Sequence, residues 1–298
     1  MFFLGELAAL TTAVCWSFTA IFFSFSGRLV GSQVVNRSRL IFAICFISLT
    51  HLLLEGTLLP LSAEPFRWGW FALSSILGLV LGDTFLFRAY ATIGPRYSML
   101  MMSSVPIVST FLAWIFLGET IGRVEMLGIL VTVAGIAWVV TEKQPGKSVV
   151  EHKQYSRGLF FGFLGAVGQA SNLIAAKFGL VNDYPTISAT WIRIFVALII
   201  LWGLAGLRRE IRPTIAHWRN WTVLRAILGG TFVGPFLGIW MSLVAVSLTK
   251  VGIASTLMAL PPVLLIPIGY VLYKERVSKR GIIGTIVAIG GVALIFLA

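Results

Sequence analysis

The chain has 298 residues, 58% of them hydrophobic and only 11% charged, with a mean hydropathy of +0.94. Soluble domains are about a quarter charged, so this composition excludes one, and the apolar residues run in stretches of the length that crosses a bilayer as helix. The net charge of +12 resides on basic residues between and at the ends of those stretches, where it sets orientation against lipid headgroups and excludes a nucleic-acid surface as the main role.

The apolar runs fall at 2–25, 34–54, 68–92, 96–117 and 122–141, then at 158–180, 186–206, 221–248, 252–273 and 280–297. Backbone polar groups in lipid need internal partners, so each run is expected to be a helix. The first run starts at Met1 without a basic leader and reads as a span rather than a cleaved signal. Cys15 and Cys45 lie inside runs and read as small buried hydrophobes. The expectation is an all-α polytopic membrane protein. The polar connector 142–157 would divide it into two domains, 1–141 and 158–298.

Those two domains repeat one pattern. Gly82, Pro106, Glu119, Gly128 and Gly135 return 156 residues on as Gly238, Pro262, Glu275, Gly284 and Gly291. Upstream, Gly5, Ala13 and Ile21 return as Gly158, Ala166 and Ile174 at an offset of 153, and Arg39 returns as Arg193 at 154. Five helices per copy is an odd number. The copies must therefore cross the membrane in opposite senses, an inverted repeat that in secondary transporters holds its substrate site near mid-membrane. Lys143, Lys147, Arg157, Arg208, Arg209, Arg212 and Arg280 fall in loops on one face, against little beyond Arg67, Arg123 and Lys250 on the other. The basic loops belong in the cytoplasm, which puts both termini outside.

The run Gly82-Asp83-Thr84 to Phe87-Arg88-Ala89, with Gly94-Pro95, Pro106 and Leu117-Gly118-Glu119 before Gly128 and Gly135, resembles the EamA family of the drug/metabolite transporter superfamily. Pro262, Lys274-Glu275-Arg276, Gly284 and Gly291 carry the resemblance through the second copy. It implies a ten-helix inverted repeat around a cavity lined by the third, fourth, eighth and ninth helices. It also implies export of amino acids or other small metabolites. Relatives are drawn with both termini in the cytoplasm; the charge count places them outside.

Asp83 is the one acid deep inside a span. A charge there costs about 2.5–3.5 kcal/mol on insertion scales, so it faces a cavity or a partner. It reads either as a proton-coupling or substrate-amine site, or as a static pair with Arg88, Arg37 or Arg39. Arg39 and Arg193 sit near the starts of the second and seventh helices, at opposite faces. They are either gates or guanidinium groups snorkelling to the interface, and Lys177 beside Asp183 is read the same way. Trp16, Ser17 and Thr19 on the first helix oppose Gln169 and Asn172 on the sixth. The two amides share a face and either bind a zwitterionic or hydroxylated substrate or tie helices together. Tyr90, Tyr97, Met101 and Ser104, with Trp240, Ser255 and Met258 from the other copy, are candidates for the lining or for ordinary packing. Pro106 and Pro262 are expected to kink the fourth and ninth helices as hinges. The small residues at Gly128, Thr132 and Gly135, repeated at Gly284, Ala288 and Gly291, predict close packing of the fifth helix on the tenth, or a homodimer seam. Glu119 and Glu275 are expected to cap the helices that follow them.

Enzyme motifs fail. His51, His152 and His217 form no metal motif, Gly82-Asp83 lacks the spacing of an intramembrane aspartyl protease, and Gly146-Lys147-Ser148 lacks the first glycine of a phosphate loop. The expectation is a secondary carrier of the bacterial-type inner membrane, without cofactor or metal. It would export a small polar metabolite by alternating access, as monomer or homodimer, with the proton as candidate coupling ion. A non-transporting ligand- or partner-binding subunit and a lipid-linked sugar translocator are the alternatives.

Overall fold

The computed structural model describes residues 3–141, 152–273 and 279–298. Lys274, Glu275, Arg276 and the glycine-lysine motif of the connector lie outside the described residues. So do the side chains of Tyr90 and Tyr97. Among the described residues ten helical spans are long and apolar enough to cross a membrane. They form two inverted repeats of five.

The first repeat consists of α1 (Leu4–Val30), α2 (Ser32–Glu55), α3 (Pro65–Ser75), α4 (Asp83–Met102), α5 (Val105–Leu117) and α6 (Arg123–Val140). The second comprises α7 (His152–Gly179), α8 (Thr186–Leu207), a short α9 (Ile211–Ala216), α10 (Trp221–Thr231), α11 (Ile239–Leu248), α12 (Val251–Met258), α13 (Pro261–Tyr273) and α14 (Lys279–Phe296). Local chemistry sets the ends. Pro65 opens α3 at a position whose N–H has no helical partner anyway. Gly56 and Gly118 close α2 and α5 in the left-handed region, at φ 71° and 65°. The Asn220 side chain accepts from the Thr222 and Val223 N–H groups to start α10.

The repeat is visible in what packs on what. The opening helix of each repeat leaves its own bundle: α1 lies along α10 and α11, and α7 along α3 and α4. Two π-helical stretches sit where these helices cross. Ile76–Gly82 joins α3 to α4 and Phe232–Gly238 joins α10 to α11, 156 residues apart. Pro235 cannot donate within the second stretch, but Leu79 fills its place in the first, so proline is not the shared cause. What both share is a glycine pair four residues apart at the crossing. A Cβ on Gly78 would come within 2.7 Å of the Asn172 side chain, and one on Gly82 within 3.3 Å of Gln169. On the other side, Gly234 would meet Thr19 at 2.5 Å and Gly238 would meet Trp16 at 2.8 Å. Widened turns of this kind concentrate at functional sites.

Two boundaries correct the sequence reading. The helix does not stop at Gly94-Pro95; α4 runs on to Met102, and the break comes at Ser103–Ser104. Proline removes one helical bond, and α4 continues because it is pressed along α7, where Gly158 and Gly162 leave room for Ile93 and Met101. Pro106 and Pro262 are not kinks. They occupy the first turns of α5 and α13, just after breaks at 103–104 and 259–260, and the proline inside α13 is Pro267. The fourth and ninth spans are thus interrupted helices, broken at equivalent points.

The small-residue stripe is spent within the chain. A Cβ on Gly135 would stand 2.4 Å from the Ala288 amide nitrogen, and one on Gly291 2.4 Å from that of Thr132. The Thr132 hydroxyl donates to Gly128 O at 2.8 Å. With α14 on it, this face of α6 cannot also be a homodimer seam.

Candidate functional site

Polar side chains in lipid collect where they can bond one another, and here they collect at the crossing of α7 with the first repeat. The Asp83 carboxylate accepts from Arg39 Nη2 at 2.6 Å and from Gln169 Nε2 at 3.1 Å. Asn172 Nδ2 donates to Gln169 Oε1 at 3.0 Å, and Arg193 Nη2 donates to Asn172 Oδ1 at 2.6 Å. Ser74 and Ser75 hold this chain to α3, donating to Asn172 O at 2.8 Å and Arg193 O at 2.6 Å. Arg39 lies seven residues from the start of α2 and Arg193 seven from the start of α8, about 10 Å of helix each, from opposite membrane faces. The relay Arg39–Asp83–Gln169–Asn172–Arg193 therefore bridges the middle of the protein.

Two expectations change. Arg39 and Arg193 do not snorkel. Arg193 is 3% exposed, with its Nε and Nη1 unpartnered among the described residues, and Arg39 turns inward to Asp83. Asp83 pairs with neither of the other arginines proposed for it. Arg88 is exposed, its guanidinium 5.8 Å from the Phe161 ring, and Arg37 binds Glu210, with Thr214 at 3.2 Å.

The remaining candidates scatter. Trp16 packs on Gly238 and Met101 on Gly162. Trp240 donates to Thr186 Oγ1 at 3.0 Å, Ser255 shares a 2.6 Å bond with Ser109, and Met258 is buried in the apolar core. None of the last three residues bonds to the relay among the described residues. His51 is also structural, with its Nε2 2.9 Å from Ser188 Oγ.

At the face that carries the termini Lys177 forms a latch, with Glu119 rather than Asp183 as its acid. The Lys177 ammonium donates to the Val246 carbonyl and, at 3.1 Å, to that of Thr249. Glu119 accepts from the Val251 N–H at 2.8 Å and lies 3.9 Å from Lys177. Thus Glu119 caps α12, from the other repeat, while the helix that follows it in sequence is capped by Glu125 on Gly122 N. Asp183 takes no part in this latch and lies exposed at φ 52°. Lys250 is tied to Glu125 at 2.7 Å, so the α11–α12 turn is clamped on both sides beside a cleft of about 400 Å³ lined by Phe116, Glu119, Lys177, Asp183 and Ser247. Lys177→Met is expected to loosen it. Labelling of a Ser247→Cys reporter by a membrane-impermeant maleimide should rise about tenfold, near the worth of one lost charge-assisted hydrogen bond; unchanged labelling would show the latch to be idle.

Ten spans in two inverted repeats, interrupted helices and a buried polar relay fit a membrane transporter. The chain belongs to the EamA-like transporter family, whose model matches residues 3–141 and 156–297. An uncharacterized transporter from Archaeoglobus fulgidus is 21% identical over 292 residues, covering 98% of this chain and 97% of that protein. The crystal structure of one other protein superposes with a TM-score of 0.77 at 16% identity, covering 100% of this chain and 98% of that one. At that identity the likeness speaks for the fold alone.

Proposed function

We propose that the protein is a secondary carrier that exports a small polar metabolite, of the size of an amino acid, by alternating access. The observation that carries this reading is the relay from Arg39 to Arg193. It lies at the inter-repeat crossing, against a π-helical stretch, and a purely structural membrane protein gains little from burying five polar side chains there. Rocking of the repeats would use the interrupted fourth and ninth spans and the two π stretches as joints, with the Lys177–Glu119 latch holding one face shut. Gln169 and Asn172 would contact substrate, Asp83 would balance charge, and the proton is the coupling ion proposed. On this reading the protein would sit in a bacterial-type inner membrane with both termini outward, the sense the basic loops favour, and its working units would be 1–141 and 158–298, joined by 142–157.

Counterflow tests this. Purified protein in liposomes preloaded with one unlabelled metabolite should transiently accumulate the labelled form above its equilibrium level. Saturable binding without such an overshoot for any solute that binds would replace the carrier by a non-transporting ligand-binding subunit.

A further inference from the structure

The relay has a charge imbalance. It holds two guanidinium groups and one carboxylate, and the carboxylate is taken: Arg39 and Asp83 neutralise each other at 2.6 Å. Arg193 is left with a neutral amide oxygen as its one side-chain acceptor, and its Nε and Nη1 have no acceptor among the described residues. The ionisable groups on the helices packed against α8 are engaged elsewhere or distant in sequence from the crossing. Glu64 at the start of α3 pairs with Arg67 at 3.3 Å, His51 on α2 bonds Ser188, and Lys177 on α7 belongs to the latch. An uncompensated buried cation costs several kcal/mol. Arginine in such a place is suited to holding a planar anion, since its donors match a carboxylate better than a point charge does.

We infer that the central site takes a small organic monoanion, its carboxylate held by Arg193 beside the Asn172 and Gln169 amides, an inference that rests on the carrier reading and names its substrate class. Net charge decides between a monoanion and a zwitterion. A monoanion brings the relay to neutrality. A zwitterion would add no net charge, and its ammonium would need Asp83, which Arg39 already occupies. A cation would raise an excess that is already positive.

The test uses the full-length protein in detergent and in liposomes, with benzoate and pyruvate as monoanions, leucine as zwitterion and choline as cation. The monoanions should raise the unfolding temperature saturably, while leucine and choline should not. Arg193→Gln should weaken that response at least about tenfold, the worth of one charge-assisted hydrogen bond. Because that variant could fail to fold, Asn172→Asp provides a second arm. A fixed carboxylate beside Arg193 should raise the unfolding temperature of the free protein and abolish the monoanion response. The assignment is overturned if Asn172→Asp keeps the wild-type response, if leucine or choline stabilises where the monoanions do not, or if no organic anion shifts unfolding at all. Monoanion binding without counterflow uphold the site and sinks the carrier. Counterflow of leucine alone does the reverse.

Discussion

Asp83→Ala should lower folding stability by about 3 kcal/mol and reduce counterflow at least a hundredfold. Removing one member of a buried pair costs about 3–5 kcal/mol, because the other charge stays behind without compensation. The lower end applies here since the Arg39 and Asp83 side chains keep 13% and 15% exposure. The loss reaches beyond Arg39. Gln169 Nε2 gives one bond to Asp83 and a longer one, at 3.4 Å, to Gly78 O; without the carboxylate the amide is free to turn, and the acceptor it presents to Asn172 turns with it. The double variant Asp83→Asn with Arg39→Gln separates structure from work. Replacing both charges by neutral groups of similar shape is often close to neutral for stability, so chemical unfolding in detergent should return to within about 1 kcal/mol of wild type. Counterflow should stay lost, since the carboxylate proposed to carry the coupling proton is then gone. If Asp83→Asn alone exchanges solute at the wild-type rate with an unchanged pH profile, the pair is a static tie and the coupling role proposed for Asp83 is wrong.

Much of this arrangement was legible in the sequence because lipid leaves few choices. Apolar length fixed the ten crossings, the odd count per copy fixed their inversion, and a carboxylate in a span had to face a cavity or a partner, Arg39 being one of three arginines within reach. Gln169 and Asn172 could be named because two amides three residues apart on an apolar helix either meet a substrate or tie helices together. Their partners across the crossing could not be named, since which helix α7 meets depends on the exchange of opening helices between repeats. That exchange also hid the role of Glu119, which caps a helix more than a hundred residues away in sequence. The proline reading failed for a different reason. Pro106 and Pro262 carry the same local rule whether they bend a helix or begin one, and only the breaks just before them decide. Trp240, Ser255 and Met258 have the composition of a cavity wall, but the first two bond Thr186 and Ser109 and the third lies in the apolar core.

Gly135→Val should be the most damaging substitution away from the relay, and it tests the scaffold rather than the site. With a Cβ 2.4 Å from the Ala288 amide nitrogen and 2.8 Å from its Cα, the obstruction is backbone, which no rotamer change relieves. The helices must part, and in lipid their attraction is contact packing without a hydrophobic gain to replace it. Extra bulk in a packed interior costs about 1–3 kcal/mol when side chains can adjust, so a backbone clash should exceed that range. Little monodisperse protein should be recovered by fluorescence-detected size exclusion. Gly290→Val is the control, since a Cβ there meets nothing within 4 Å, and it should behave as wild type. Because α6 and α14 come from different repeats, the seam fixes one end of each bundle against the other, and the moving joints must lie elsewhere. A Gly135→Val protein that folds at wild-type yield would mean that α6 and α14 separate at no cost, and a rocking of the repeats about the central relay would then have no fixed edge to turn on.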